Sequence, residues 1–371
     1  MSIVIAILVF GIIIAIHEFG HFFMAKLFKV GVMEYAIGMG PMIFGKRIGE
    51  TVYSLRTIPF GGYCAMYGEE SLEAGNKGEE KLQKEEKPKK KRIEYKTDWT
   101  KDRSYNSKTP LQRILILFAG PLANLVLGFV VAALCTAIWG NFGKLYIKEV
   151  HQNSPAMEAG IEEGDVIVAI NDRKVLTFND FEEYKLTHSS TIKDGYTLTL
   201  DRNGEQYSKF LKQDEETNLI GIRINTEVEK KGFIDTFKYA LNDTKYWSLT
   251  VFDSLYMLFN GEASVKDMSG AIGITNMMGD TIETAAEQGS SVVLETVLTL
   301  IMFISINLGI MNLLPIPALD GGRILFTFIE IIINRKIPVK VEAAVNAFGM
   351  ICLMILMVVT LFNDIGRIIM Q

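Results

Sequence analysis

Residues 1–28 read MSIVIAILVFGIIIAIHEFGHFFMAKLF and place two histidines and a glutamate inside an otherwise apolar run. The apolar part, residues 3–27, is long enough to cross roughly 30 Å of hydrocarbon as a helix. It lacks the polar first region and the small-residue cleavage site of a secretory signal peptide. We therefore interpret it as a retained transmembrane helix that carries three ionisable side chains at membrane depth.

The composition indicates membrane segments joined to a water-exposed part. Of the 371 residues, 49% are hydrophobic and 22% are charged, which is too apolar for an ordinary soluble enzyme and too charged for a bare helical bundle. The formal net charge of -5 does not suggest nucleic acid as a partner. Three widely spaced cysteines indicate neither a disulfide framework nor a thiolate metal site.

Three further apolar stretches, residues 111–139, 292–314 and 343–361, are also long enough to span a bilayer. Basic residues at 81–92 and between the last two stretches predict that these two loops face the cytoplasm. Four spans put both termini on one side. We therefore expect a protein of the plasma or inner membrane, with the termini and the long segment after the second span outside the cytoplasm.

The connecting segments differ in character. Short strands with glycine turns predict a small β-element before residue 68, and the charged stretch that follows predicts a partly disordered linker. Residues 144–213 alternate strands and turns around one helix near Asn179–Leu186. Within them, SPAMEAGIEEGDVIVAIN (154–171) resembles a PDZ domain of the protease-associated type. The aromatic-rich amphipathic stretch after residue 228 fits either a helix at the membrane surface or one packed on that domain.

The predicted fold class is a multi-pass α-helical membrane protein with about four transmembrane helices, a membrane-associated β-element and one extracytoplasmic PDZ domain. The expected segments are a first transmembrane helix at 1–28, the β-element at 29–68, a charged cytoplasmic linker at 69–109, a second transmembrane helix at 110–140, the PDZ domain at 141–215, an amphipathic linker region at 216–291, a third transmembrane helix at 292–314, a loop and cytoplasmic segment at 315–342, and a fourth transmembrane helix with the carboxyl terminus at 343–371.

The HEFGH stretch has the spacing of a metal site. His17 and His21 lie four residues apart and so share one face of a helix, where two imidazoles can bind one zinc ion. Glu18 could then act as a general base on a water molecule activated by the metal. A charged group at bilayer depth costs at least roughly 2.5 kcal/mol. A metal would compensate this cost better than a structural pair of histidines.

A third protein ligand is needed for such a zinc site. His151 and His188 lie in the predicted outer domain and are better interpreted as surface residues. Asp320, in NLLPIPALDGG (312–322), follows an apolar span where two prolines interrupt the helix and two glycines allow a tight turn. Irregular backbone at membrane depth lines a cavity. Asp320 could therefore be a ligand, the N-cap of the next helix, or both.

Taken together, HEFGH, FAGPLANLVLGF (118–129), one PDZ-like unit and NLLPIPALDGG resemble the site-2 protease family of intramembrane zinc metalloproteases over nearly the whole chain. The resemblance implies one zinc per chain held by His17, His21 and Asp320, with Glu18 as the base. It also implies that Asn312, Pro315 and Pro317 hold substrate near the metal, and that the β-element offers an edge to an unwound substrate. Arg323 stands where histidine is common in the family.

The leading functional hypothesis is thus an intramembrane endopeptidase that acts on single-span membrane proteins, such as anti-sigma factors or signal-peptide remnants, after a first cut by an upstream site-1 protease. The PDZ domain would filter substrates by size, bind a newly formed C-terminus, or serve as a spacer. Two alternatives are a non-proteolytic membrane scaffold with a structural metal and a metal transporter. Glu18 favours the protease, because neither alternative needs a base beside the histidine pair.

Overall fold

The fold is taken from a computed structural model that describes residues 2–69, 99–140, 144–175, 177–188, 192, 194–212, 220–226, 232–261 and 270–370. It contains two compact units, Met1–Gly128 with Ser264–Gln371 and Phe129–Ala263. The helices are α1 Ser2–Leu27, α2 Pro110–Trp139, α3 Pro155–Glu158, α4 Phe178–Thr187, α5 Phe233–Phe259, α6 Ala271–Gln288, α7 Ser290–Leu313, α8 Asp320–Ile333 and α9 Val339–Met370. The strands are β1 Val32–Ile48, β2 Thr51–Met66, β3 Leu145–Val150, β4 Val166–Ile170, β5 Arg173–Lys174, β6 Tyr196–Arg202, β7 Glu205–Leu211 and β8 Ile222–Thr226.

Four of the described helices are long and apolar enough to cross a membrane. They cover Val4–Leu27, Pro110–Trp139, Ser290–Leu313 and Lys340–Arg367. The four stretches predicted from hydropathy therefore coincide with helices, because a long apolar run in a bilayer can satisfy its backbone groups within the same segment only as a helix.

Helix α6 is a packing partner of α1 that hydropathy did not reveal. Met278 of α6 is buried in one cluster with Ala6, Val9 and Ile13 of α1. The first turn of α6 is capped from a distant helix, since the buried carboxylate of Asp364 on α9 accepts hydrogen bonds from the backbone N–H groups of Gly270 and Gly273. That carboxylate satisfies two amides that have no partner within their own helix.

The predicted β-element is a two-stranded sheet whose long strands fold back on themselves. Residues 34–37 of β1 pair with residues 52–55 of β2 on one side and with residues 62–65 of β2 on the other. The outer half of β1 pairs with the start of β2, as in Ile48 opposite Thr51. The hydroxyl of Tyr35 donates a hydrogen bond to the carbonyl of Ala15 in α1 at 2.6 Å, which ties the sheet to the helix that carries HEFGH.

The last part of the linker predicted at 69–109 is ordered from residue 99 onward, while residues 70–98, with the lysine-rich run, lie outside the described residues. Trp99 and Tyr105 are buried, and two short 3₁₀ turns, Lys101–Arg103 and Tyr105–Ser107, join them to α2. The backbone N–H of Tyr105 donates to the carbonyl of Tyr67, so this segment packs on the end of β2. Aromatic burial outweighs the polar composition here.

The second unit contains an antiparallel sheet in the order β7-β6-β4-β3-β8, with β5 paired to β4. Its core contains Phe181 of α4 and aliphatic side chains of the strands. These strand residues include Leu145, Ile147, Ile170, Leu198, Leu200 and Leu211. The helix predicted near 179–186 is α4, which begins with a capping box between Thr177 and Asp180. Because β8 pairs with β3, this sheet extends beyond the predicted domain end at residue 215.

The GD pair of the PDZ-like motif has a clear structural role. Gly164 adopts a φ of +91°, and the side chain of Asp165 is buried and accepts hydrogen bonds from the guanidinium of Arg202 at 2.6 and 2.8 Å. Burial by itself would raise the pKa of Asp165, but the hydrogen bonds from Arg202 outweigh it and lower that pKa. The motif thus fixes the turn that enters β4.

Candidate metal centre and active site

Three predicted ligand atoms converge on one point in the first unit. The Nε2 atoms of His17 and His21 are 3.2 Å apart. The Oδ2 atom of Asp320 lies 3.1 Å from the first and 3.2 Å from the second. Both histidines are buried. Among the described residues, these three form the one group of histidine, cysteine and acidic side chains that is close enough to share a metal ion.

The spacing of these atoms fits zinc. Bonds of about 2.0–2.1 Å in a tetrahedral arrangement place neighbouring ligand atoms about 3.3 Å apart. The three separations of 3.1–3.2 Å match that value. The Nδ1 atom of His21 lies 2.9 Å from the carbonyl of Ile116. When Nδ1 donates its proton to that carbonyl, the Nε2 lone pair is free for the metal.

Asp320 occupies the first turn of α8, and its carboxylate is directed to the histidines. The N-cap residue is Leu319, which makes no side-chain cap, so the N-cap alternative for Asp320 is not realised. A carboxylate binds a metal in its ionised form, and its position beside both imidazoles suits Asp320 to the role of the predicted third ligand.

The two glycines after Asp320 are needed for close packing, and neither has a positive φ. A Cβ atom on Gly321 would lie 2.2 Å from the carbonyl oxygen of Leu314, and one on Gly322 would lie 2.3 Å from that of Ile316. The strained residue of this connection is Ala318, with a φ of +76°. Its backbone N–H donates a hydrogen bond to Oδ1 of Asn346 on α9 at 3.2 Å, which helps to hold the connection in place.

Helix α2 faces the two histidines with one residue from each of three successive turns. Ile116 offers its carbonyl to His21, and Gly120 leaves room for the same imidazole, since a Cβ atom there would lie 2.2 Å from Nε2. One turn further on, Nδ2 of Asn124 lies 3.4 Å from Nδ1 of His17. The spacing of four residues places all three on one face of the helix. Gly120 and Asn124 belong to the stretch of the second span that carried the family resemblance, so this stretch lies against the two predicted histidine ligands.

The site opens into a cavity of about 660 Å³. Glu18 lines this cavity together with the three ligands and with Gly62, Tyr63 and Cys64 of β2. A Cβ atom on Gly62 would lie 3.1 Å from Cγ of Glu18, so β2 runs beside the predicted base. A carboxylate next to the ligand atoms, in a cavity that can admit water, is placed to take up and release protons.

Two ion pairs, each with a member that lines this cavity, were not predicted from the sequence. Arg323 contacts Glu69 at 2.5 Å, and Arg113 pairs with Glu330. Arg323 had been noted only as a departure from the family pattern. The rule that ionisable residues within or beside a membrane span mark functional sites could have identified Arg113. Glu69 carries no comparable signal, because it looks like the start of the charged linker.

The three residues predicted to hold substrate precede Asp320 in the chain and do not lie on the cavity wall. Asn312 is in the last turn of α7, and Pro315 and Pro317 lie in the connection to α8. None of them is among the cavity-lining residues. Pro317 packs against Gly349 of α9, where a Cβ atom would be 2.5 Å from the Cβ of the proline. A role in binding substrate therefore stays a prediction.

A buried group of two histidines and a carboxylate, with a glutamate beside it and long apolar helices around it, defines the class of membrane metalloproteases. The chain belongs to Peptidase family M50, the site-2 protease family, whose profile matches residues 5–356. This confirms the resemblance inferred from the motifs, and the chain is a zinc metalloprotease of that family.

Relatives match over almost their full length. A Clostridium perfringens protein that is provisionally named a zinc metalloprotease is 36% identical to this chain over 369 residues, which covers 98% of each chain. The zinc metalloprotease RasP of Oceanobacillus iheyensis is 31% identical over 431 residues and covers 99% of each chain. RasP of Shouchella clausii is 29% identical over 425 residues, with 98% of each chain covered.

Proposed function

We propose that this chain is an intramembrane endopeptidase that cleaves single-span membrane proteins, with one zinc ion held by His17, His21 and Asp320. The observation that carries the proposal is the convergence of three ligand atoms at 3.1–3.2 Å in a cavity that Glu18 also lines. Two of these ligands lie in a helix that is able to span a membrane. Substrate bonds within the bilayer would thus come within reach of the site.

Glu18 is the proposed general base. When bound, zinc supplies Lewis acidity and lowers the pKa of a coordinated water molecule. The carboxylate of Glu18 would accept the proton of the attacking water and later transfer it to the leaving amine of the cleaved peptide bond. The two imidazoles come from α1 and the carboxylate of Asp320 comes from α8, so the centre would be held between these two helices.

The edge of the β-element is the proposed site of substrate presentation. Residues 62–65 pair with β1 on one side, and no other strand of the described residues pairs with their outer edge. A substrate helix that unwinds at this edge would recover its backbone hydrogen bonds by strand addition. Asn312, Pro315 and Pro317 are the residues proposed to hold the unwound segment, as the family resemblance implies. These contacts would select extended substrates over intact helices.

The second unit is proposed to be an extracytoplasmic PDZ domain that selects substrates already trimmed by an upstream protease. The order of the PDZ-like motif, the sheet and α4 along the chain supports the PDZ assignment. The outer location is supported by the basic loops elsewhere, which favour the cytoplasmic side for the other connections. Selection by size and recognition of a new C-terminus are the two mechanisms to be separated by experiment. Anti-sigma factors and signal-peptide remnants are the proposed substrate classes.

The alternative of a membrane scaffold with a structural metal is less well supported. Closed structural zinc sites use four protein ligands, whereas the described residues bring three ligands together and leave a cavity beside them. A structural site also gives no reason for Glu18 to line that cavity. The same observations argue against a metal transporter.

The proposal is tested with purified full-length protein in detergent. We expect one zinc per chain in the wild type and loss of zinc in His21→Ala. Cleavage of a model single-span substrate should require both zinc and Glu18. Full zinc content in His21→Ala would refute the ligand set, and a wild type that is loaded with zinc but cleaves no membrane span would favour the scaffold.

A further inference from the structure

The amide of Asn124 is buried beside a metal ligand and lacks part of its hydrogen bonding. The residue has no exposed surface. Its Nδ2 atom lies 3.4 Å from Nδ1 of His17, and its Oδ1 atom has no hydrogen-bond partner within the described part of the chain. A buried amide oxygen without a partner costs about 1–3 kcal/mol. A polar side chain in a span therefore calls for a functional explanation.

The chemistry of His17 provides that explanation. A neutral imidazole that binds a metal through Nε2 carries its proton on Nδ1. In His21 this proton is directed to the carbonyl of Ile116. In His17 the Nδ1 proton would point to the amide nitrogen of Asn124, so that one N–H donor would face another. Two donors cannot satisfy one another.

Rotation of the amide by half a turn resolves the conflict. The oxygen and nitrogen of an asparagine amide are distinguished by their hydrogen-bond partners rather than by their shape. With the two atoms exchanged, the oxygen accepts the proton of Nδ1 and is no longer unpaired. Each of the two histidines then donates to an oxygen supplied by α2.

We propose that Asn124 is a positioning residue whose side-chain oxygen accepts a hydrogen bond from Nδ1 of His17 and thereby fixes the tautomer and ring orientation of this ligand. The inference rests on the proposed ligand set and extends it to the groups behind the ligands. The hydroxyl of Ser305 on α7 donates to the backbone carbonyl of Asn124 at 2.8 Å, which holds this turn of α2 in place.

Three variants of the full-length protein test the proposal. Asn124→Leu keeps the approximate volume but removes the acceptor, and Asn124→Asp keeps an acceptor and removes the donor. Asn307→Leu is the matched control, because Asn307 lies in the spanning helix α7 and its amide donates to Phe303 of its own helix. The zinc dissociation constant is measured in detergent by competition with a chelator. The thermal midpoint is measured with and without zinc.

Loss of an outer-shell partner of a metal-binding histidine costs about 10–100-fold in metal affinity. We therefore expect that degree of weakening in Asn124→Leu, with a smaller rise of the thermal midpoint on adding zinc. Asn124→Asp and Asn307→Leu should retain the wild-type affinity within about threefold or, for the aspartate, bind more tightly. The midpoint of the zinc-free protein should change little, because the bond matters only for the metal-binding tautomer.

Several results would overturn the inference. Wild-type zinc affinity in Asn124→Leu would do so, as would equal weakening in Asn124→Leu and Asn124→Asp. A loss of stability in the zinc-free protein as large as in the zinc-bound protein would show that Asn124 serves packing alone. His17→Ala separates this failure from failure of the ligand set. If His17→Ala loses zinc while Asn124→Leu keeps it, the ligand set stands and only the role of Asn124 fails.

Discussion

The replacement of Gly120 by alanine should remove zinc from the protein by adding a single methyl group. In the wild type, a Cβ atom at this position would lie 2.2 Å from Nε2, 2.5 Å from Cε1 and 2.8 Å from Cδ2 of His21. All three atoms belong to the ring that we propose as a metal ligand. The imidazole has little room to retreat, because its residue is buried and its Nδ1 atom is held by the carbonyl of Ile116.

The size of the expected effect follows from these distances. Non-bonded carbon atoms are most stable about 3.5–4.0 Å apart, so the ring must move by about 1 Å or more. Metal–ligand distances tolerate deviations of only about 0.2 Å. His21 would therefore leave the site, and two ligands would remain. Displacement of a ligand should cost more than the roughly 100-fold upper value for loss of an outer-shell partner.

The assay compares Gly120→Ala with Gly11→Ala in the same detergent-solubilised protein. Gly11 lies in α1, and a Cβ atom there would have no neighbour within 4 Å. We expect at least about 100-fold weaker zinc binding and no measurable cleavage in Gly120→Ala. Gly11→Ala should retain full zinc and activity, since alanine favours a helix over glycine. Wild-type zinc content in Gly120→Ala would refute the packing of α2 on His21.

Three further predictions concern other parts of the molecule. Glu18→Gln should keep full zinc but lose about 10²–10⁴ in cleavage rate of a model span, and near-normal turnover would exclude its role as base. Asp243 of α5 is buried, which raises its pKa to about 6 despite a hydrogen bond from Asn179. The stability that the protonated Asp243 carboxyl contributes is therefore fully present below the unfolded pKa of about 3.9 and is lost as the pH rises through 6. Asp243→Asn should raise the free energy of unfolding at pH 7 by up to about 3 kcal/mol and leave it nearly unchanged at pH 4, as measured by denaturant titration; an equal effect at both pH values would contradict the argument. Deletion of residues 144–226, which includes β8 because it completes the sheet, should leave zinc in place and allow cleavage of untrimmed substrates; a higher KM for trimmed substrates alone would instead support recognition of a C-terminus, and unchanged cleavage of both would support a spacer.

Much of the local structure, and the grouping of His17, His21 and Asp320, could be predicted from the amino-acid sequence. Long apolar runs indicated four spanning helices, and helices lie at those positions. The spacing of His17 and His21 placed both imidazoles on one helix face. Asp320 is the predicted third ligand because it stands on an interrupted segment at membrane depth, and the structure brings its carboxylate to the histidines.

Contacts between distant parts of the chain were decided only by the tertiary structure. The roles of Gly120 and Asn124 depend on which face of α2 meets α1, and the amphipathic pattern of this largely apolar span is too weak to predict that contact. The packing of Trp99 and Tyr105 likewise depends on the end of β2. Hydropathy and periodicity report the environment of a residue along its own element. Ligand geometry, buried ion pairs and the space left by a glycine depend on close approach between elements, which becomes defined only when the helices pack.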